Sequence, residues 1–156
     1  MKRITFLVCL FLIACTAQTT EQPSITSELP ENKFEPNTKI CLQESVGMKD
    51  IYDASGVISL NLVNKSGGTV LIPSDFGAIL YVKEGNEWEK VDNVFGYPVG
   101  EIVLPTSKEY PPGLVVLVEP DLTDNTDRPL ILRITVTGIL SDSNKEVGAY
   151  LDVTLE

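Results

Sequence analysis

Short runs of alternating apolar and polar residues recur through most of this chain, and they constrain its fold more than any other feature. In residues 56–64 (GVISLNLVN), for example, Ile58, Leu60 and Leu62 are separated by polar residues. Successive side chains of a β-strand point to opposite faces, so this pattern predicts a strand with one buried and one solvated face. No stretch has the period of an amphipathic helix, and we therefore expect an all-β fold.

Further short apolar runs, some alternating with polar residues and some continuous, occupy residues 70–72, 77–83, 88–91, 102–104, 114–118, 130–137 and 149–155. Turn residues such as NKSGG separate them. About seven to nine strands with this spacing favour two facing antiparallel sheets, because each sheet has one apolar face to cover. The sequence therefore predicts a β-sandwich over residues 38–156. We expect Trp88 in its core, with an exposed binding platform as the alternative.

The order of features from ISLNLVNKSGGTV through ILYVKEGNEWEKV to LILRITVTG resembles the small bacterial immunoglobulin-like domains of extracytoplasmic proteins. In those domains a strand ending in Asn at a turn is followed by a hairpin with a Trp after its tip. The resemblance implies an immunoglobulin-like antiparallel β-sandwich. The bridging cysteine pair of the antibody form is absent, because only Cys41 lies in the predicted domain. We expect Cys41 to be a small buried residue, with an exposed thiol as the alternative.

The N-terminus has the composition of an export signal. Lys2 and Arg3 precede the uncharged run 4–14 (ITFLVCLFLIA). As a helix this run would span roughly 16 Å, against a hydrocarbon core of about 30 Å, so it is short for a transmembrane helix. The segment predicts a cleaved signal peptide over residues 1–14.

Residues 12–15 (LIAC) resemble the lipobox of bacterial lipoproteins. The resemblance implies cleavage between Ala14 and Cys15 and a diacylglyceryl anchor, with fatty chains such as palmitate, on the Cys15 sulfur. Two acyl chains hold a protein stably at a membrane, whereas one does so only marginally. In an organism with two membranes, Thr16 after the cysteine is associated with the outer membrane. The alternatives are an ordinary secretory signal cleaved after Ala17 and an uncleaved anchor.

Residues 15–37 are predicted to form the lipidated cysteine and a flexible, disordered tether. The segment is rich in Thr, Gln, Glu, Ser and Pro and has few apolar residues with which to order itself. A coil of this length extends on the order of 25 Å, enough to separate a domain from the membrane surface. The alternative is that Phe34 and its neighbours form a strand that docks on the domain.

Charge and composition exclude several classes of function. The first fifteen residues hold two bases and no acid, so the rest of the chain has ten basic and 22 acidic residues, a formal charge of −12. This charge disfavours nucleic acid and anionic lipid surfaces, so membrane attachment must be hydrophobic or covalent. The chain has no histidine, which excludes Ser-His-Asp and Cys-His catalysis and imidazole zinc sites. We expect no enzymatic activity and no cofactor.

Two groups of residues are candidate ligand sites. Asp121, Asp124 and Asp127, in the acidic loop EPDLTDNTD, offer the oxygen ligands that calcium prefers, but they lack the spacing of an EF-hand loop. Solvated acids in a loop between strands are the alternative.

The second candidate consists of aromatic residues in two Pro- and Gly-bearing loops: Phe95 and Tyr97 in one and Tyr110 in the other. Tyrosine suits contact with protein or carbohydrate, and sandwich loops are the usual place for binding residues. The alternative is that these rings cover the open end of the sandwich.

Together these features favour a lipid-anchored, non-enzymatic extracytoplasmic protein whose sandwich mediates protein–protein contacts at the cell envelope. Its expected partners are the membrane, through Cys15, and an envelope protein that the sequence does not identify. One alternative is a lipoprotein that binds carbohydrate or calcium. Another is an accessory or inhibitor subunit of an envelope enzyme or transporter.

Overall fold

Nine strands, all paired antiparallel, form the part of the chain that the computed structural model describes, which is residues 35–45, 56–106, 113–125 and 129–156. The strands are β1 (Ile40–Glu44), β2 (Ile58–Asn64), β3 (Val70–Pro73), β4 (Ile79–Glu84), β5 (Glu87–Val91), β6 (Glu101–Leu104), β7 (Leu114–Val118), β8 (Leu130–Leu140) and β9 (Glu146–Leu155). No helix occurs in these ranges, so the all-β prediction is confirmed. Strands β8 and β9 are longer than predicted because Gly138 and Gly148 interrupt the apolar alternation without ending the strands.

The strands form two sheets. One has three strands in the order β1-β2-β7, and the other has six, with β8 at its centre. Strand β9 pairs with one side of β8. On its other side β8 pairs with β4 along its first half and with β3 near its end. Strand β5 then pairs with β4, and β6 pairs with β3.

A single apolar core, to which both sheets contribute, makes the arrangement sandwich-like. The alternation predicted in β2 is observed, because Ile58, Leu60 and Leu62 are at most 1% exposed. They belong to the same buried cluster as Leu132 and Ile134 of β8 in the other sheet. Burying a side chain of this size contributes about 1.5–3 kcal/mol, so the facing sheets stabilise each other.

The segment between β3 and β4 interrupts what would otherwise be one long strand beside β8. Phe76 has a φ of 60° and is 6% exposed, so a left-handed backbone turns its ring into the core. The Phe76 carbonyl accepts a hydrogen bond of 3.0 Å from the Thr137 amide, which keeps the segment attached to β8. This left-handed conformation costs a non-glycine residue about 1–2 kcal/mol, and burial of the ring offsets that cost.

Asn64, at the end of β2, joins the two sheets through its side chain. It is 1% exposed, and its Nδ2 donates to the carbonyls of Leu104, at 3.1 Å, and Gly68, at 2.7 Å. Its Oδ1 accepts from the amide and hydroxyl of Ser66, at 2.9 and 2.7 Å. Leu104 ends β6 of the other sheet, so one amide satisfies its own hydrogen-bonding capacity and ties together both sheets and the turn after β2.

Cys41 in β1 is 7% exposed, which confirms the expectation that it is a small buried residue. Asn37, at the predicted junction of tether and domain, bonds to β9: its amide donates to Gly148, and its side-chain oxygen accepts from the Tyr150 amide. The predicted signal peptide 1–14, Cys15 and the tether as far as Phe34 lie outside the described residues.

Candidate functional site

The loop after β5 contains Phe95 and Tyr97, two of the predicted ligand residues, and the structure uses it to link the sheets. Asn93 donates to the Tyr97 hydroxyl at 2.9 Å, and its side-chain oxygen accepts from the Glu119 amide at 2.9 Å. The Tyr97 hydroxyl in turn donates to the carbonyl of Leu117 in β7. Because β5 and β7 belong to different sheets, these bonds connect the two sheets at one end of the sandwich.

Three aromatic rings pack together at this end. The Tyr97 ring packs edge-on against Phe76, with ring centroids 5.7 Å apart. Phe95 also packs against Tyr97, and the centroids of these two rings are 5.0 Å apart. Burial raises the pKa of Tyr97, the bond from Asn93 lowers it, and the nearby charge of Asp75 raises it. This arrangement agrees with the alternative that the rings cover the end of the sandwich. Tyr110 lies outside the described residues, so its position relative to this cluster stays a prediction.

A surface pocket of about 270 Å³ lies beside Tyr97. Its apolar wall comes from β4, β5 and the segment before β4, and its polar rim includes the loop residues just described. The lining residues are Asp75, Ala78, Ile79, Leu80, Lys90, Val91, Asp92, Asn93 and Tyr97. The pocket could admit a small ligand, but Asn93 and the Tyr97 hydroxyl already bond within the protein.

Replacing Tyr97 with phenylalanine should lower the free energy of unfolding at neutral pH by about 1–2 kcal/mol, because the Leu117 carbonyl and the Asn93 amide lose their partner. The raised pKa of Tyr97 means that the folded state holds the phenolic proton more tightly than the unfolded chain does. The resulting stability is complete below a pH of about 10 and is lost as the pH rises further. Denaturant unfolding from neutral to alkaline pH should therefore show a smaller alkaline loss in the variant.

Tyr81→Phe is the matched control for the neutral-pH comparison, because the Tyr81 hydroxyl has no hydrogen bond within the described part of the chain. Burial raises the pKa of Tyr81 too, so this variant should also lose less stability than the wild type at alkaline pH. It should change the neutral-pH stability by less than about 0.5 kcal/mol. An equal loss in both variants would show that the Tyr97 hydroxyl does not join the sheets.

Two of the three candidate calcium ligands lie in the described residues, and both are exposed. The Asp121 carboxylate accepts bonds from the Thr123 hydroxyl, at 2.6 Å, and the Thr123 amide, at 3.2 Å. These two bonds lower the pKa of Asp121. Asp121 thus caps its own turn. Asp124 is exposed nearby, and Asp127 lies outside the described ranges.

Trp88, expected in the core, lies instead on the outer face of the six-stranded sheet. It is the cross-strand partner of Lys83 in β4, whereas the neighbouring Leu80 and Val82 point inward and are at most 1% exposed. Side chains alternate between faces, so Lys83 and Trp88 both point away from the core. The prediction of a core tryptophan is wrong, because β5 turns the opposite parity inward, with Val91 buried.

Arg133 of β8 lies between two aromatic rings on this outer face. Its guanidinium carbon is 4.5 Å from the centroid of the Trp88 ring and 4.2 Å from that of Tyr150. Its Nε and Nη2 donate to the two carboxylate oxygens of Asp152, at 2.6 and 2.7 Å. The bond to Asp152 raises the pKa of Arg133, and the guanidinium is charged at physiological pH, as arginine is in proteins generally. The rings of Trp88 and Tyr150 and the bidentate ion pair with Asp152 therefore restrict the position of the partly buried Arg133 guanidinium.

We name this group the Arg133 cluster, and it comprises Tyr81, Lys83, Trp88, Arg133, Tyr150 and Asp152. Its residues come from β4, β5, β8 and β9, which the register places side by side on one face. The Lys83 ammonium is 5.8 Å from the Trp88 ring centroid. The sequence pattern did not predict this cluster. The only signal for it was that Tyr81, Arg133 and Tyr150 stand between apolar residues of their strands.

Comparisons with protein-family models, with curated proteins and with solved structures found no match to this chain. Within the described ranges, no three Cys, Asp or Glu side chains come close enough together to hold a metal ion. The same ranges contain no helix with the length and apolar character needed to cross a membrane. The contacts of the described side chains are therefore what indicate a function.

Proposed function

We propose that this chain is a lipid-anchored extracytoplasmic protein whose immunoglobulin-like sandwich binds another protein at the cell envelope and catalyses no reaction. The basic and apolar leader followed by LIAC supports export and lipidation at Cys15. The acidic chain would be repelled by an anionic lipid surface, which favours attachment by acyl chains over attachment by charge.

The Arg133 cluster is the observation that supports protein binding. Trp, Tyr and Arg are the residue types that most often dominate the binding energy of protein interfaces. Trp88, Arg133 and Tyr150 are only partly buried, and they pack against one another on a sheet face. Mutual packing restricts the three side chains before any partner arrives, which reduces the conformational entropy lost on binding.

The anchor and the contact can be tested together in cells that express the full chain. Cys15→Ser should release the protein from the membrane fraction and remove the acyl mass from its N-terminus, because serine offers no sulfur for the diacylglyceryl group. Cys9→Ser is the matched control, since it changes a leader cysteine that cleavage removes and should leave the anchored product intact. An unchanged mass and location of Cys15→Ser would contradict the proposed anchor.

To test the protein contact, a photo-crosslinking amino acid is placed at Tyr81 in the Arg133 cluster. The control has the same amino acid at Gln43, an exposed residue of β1 in the other sheet. We expect position 81 to give one adduct with an envelope protein, and Arg133→Gln to abolish that adduct. Position 43 should give no such adduct. Adducts of equal yield from both positions, or an adduct that does not depend on Arg133, would contradict protein binding through this face.

A further inference from the structure

We infer that the Arg133 cluster recognises a carboxylate on an extended acidic segment of the partner protein. The inference rests on the proposed function and specifies the chemistry of the partner. An arginine has five N–H groups, and Arg133 uses only one from Nε and one from Nη2 for Asp152. The remaining three have no partner within the described residues.

Two of those three N–H groups, one on Nη1 and one on Nη2, form the second edge of the guanidinium. An edge of this kind binds a carboxylate through two parallel hydrogen bonds, which are stronger and more specific than bonds from a neutral donor. The Arg133 side chain is 17% exposed, so it is restricted by its neighbours yet still reaches solvent. Asp152 and the two rings therefore present one preorganised edge to an incoming acid.

The charge of this face favours an acidic partner. The described residues include six Lys and Arg against fifteen Asp and Glu. Half of those six bases, Lys83, Lys90 and Arg133, lie on the outward face around the cluster, since Lys90 is the cross-strand partner of Tyr81. Asp152 is already paired with Arg133. The other outward-facing acids of this sheet, Glu101 beside β3 and Glu146 opposite Ile139, lie away from the cluster toward the far end of β8. A locally positive face attracts acidic partners, although the protein as a whole carries a negative charge.

The orientation of the rings favours a peptide over an acidic glycan. Sugars bind aromatic residues by stacking on an open ring face, and Trp88 and Tyr150 each have one face turned toward the Arg133 guanidinium, which leaves less ring surface for a sugar. An extended peptide with alternating acidic and apolar residues needs no open ring face. Its acidic side chains all point to one side, so its carboxylates can reach Arg133 and Lys83, while its apolar side chains point away from the sheet.

Trp88 is the only tryptophan of the chain, so its fluorescence reports directly on this site. We would titrate the purified protein with a capped octapeptide of alternating glutamate and leucine. We expect saturable binding that weakens as salt is added, and no binding of the matched glutamine–leucine peptide. Arg133→Lys keeps the charge but removes the second edge, and it should weaken binding at least about tenfold. Lys65→Gln removes an exposed base in the turn after β2 and should leave the affinity unchanged.

The inference is overturned if the glutamine peptide binds equally well, or if Arg133→Lys binds like the wild type. It is also overturned if an oligogalacturonate binds in an Arg133-dependent manner while the peptide does not, since the site would then recognise a glycan. If the Arg133→Lys protein is not folded under the conditions of the titration, Lys83→Gln is the variant to measure, and it should weaken peptide binding a few-fold. If the peptide does not bind but the crosslink at position 81 still forms, the acidic partner is refuted. The proposal that this face binds a protein is not refuted by that result.

Discussion

Replacing Asn64 with alanine should lower the free energy of unfolding by about 3 kcal/mol and the Tm by about 10 °C. The Asn64 amide makes four hydrogen bonds at the end of β2 while being 1% exposed. Alanine would leave the carbonyls of Leu104 and Gly68 and the amide of Ser66 without that partner, and it would open a small cavity between the sheets. Denaturant and thermal unfolding measure the change directly.

Asn61→Ala is the matched control for this prediction. Asn61 lies three residues earlier in the same strand, on the outer face, and its side chain makes no hydrogen bond in the described part of the chain. Its loss should change the stability by less than about 0.5 kcal/mol. If both variants were equally stable, Asn64 could not be the joint between the sheets that its contacts indicate.

Gly138→Val should destabilise the protein by about 3 kcal/mol or more, or prevent it from folding. Gly138 lies in β8 opposite β3, and a Cβ there would come within 2.8 Å of the Val70 Cγ1 and 2.9 Å of the Leu71 carbonyl oxygen, and would overlap the Ile72 Cδ1. Overpacking typically costs 1–3 kcal/mol for added methylenes, and here part of the obstacle is backbone that cannot rotate away.

This prediction opposes the one from strand propensity alone, because valine is favoured over glycine in strands by up to about 1 kcal/mol. Gly96→Val is the control, since a Cβ at Gly96 meets no atom within 4 Å. We expect that variant to unfold close to the wild-type midpoint. A Gly138→Val protein as stable as the wild type would mean that β3 and β8 are farther apart than the structure places them.

The local pattern of apolar runs sufficed to predict most of the strands, and β7 was predicted with its observed bounds. It also identified Ile58, Leu60 and Leu62 of β2 as buried, because apolar residues at alternate positions of a strand share one face. It did not suffice for Trp88. Strand β5 (EWEKV) has two apolar residues of opposite parity, Trp88 and Val91, and only the pairing with β4 shows that Val91 is the inward one.

The Arg133 cluster lay beyond prediction because its residues come from four strands separated by up to 71 positions, from Tyr81 to Asp152. Arg133 stands alone among apolar residues in LILRITVT, and such a position has no partner within its own strand. The aromatic residues beside it become visible only when β4 and β9 are placed on either side of β8. Tyr97 is a similar case, since its bond to Leu117 spans twenty residues.

The sequence by itself determined the strand content, the acidic character, the absence of histidine chemistry and the expectation of a lipidated Cys15, because each depends on residues that are adjacent or simply counted. Tertiary structure decided which face of β5 is buried, that Tyr97 and Asn64 join the two sheets, and that Arg133 lies between two rings with one edge unpaired. These features depend on strand register. Register is set by the packing of the whole core, so no local pattern contains it.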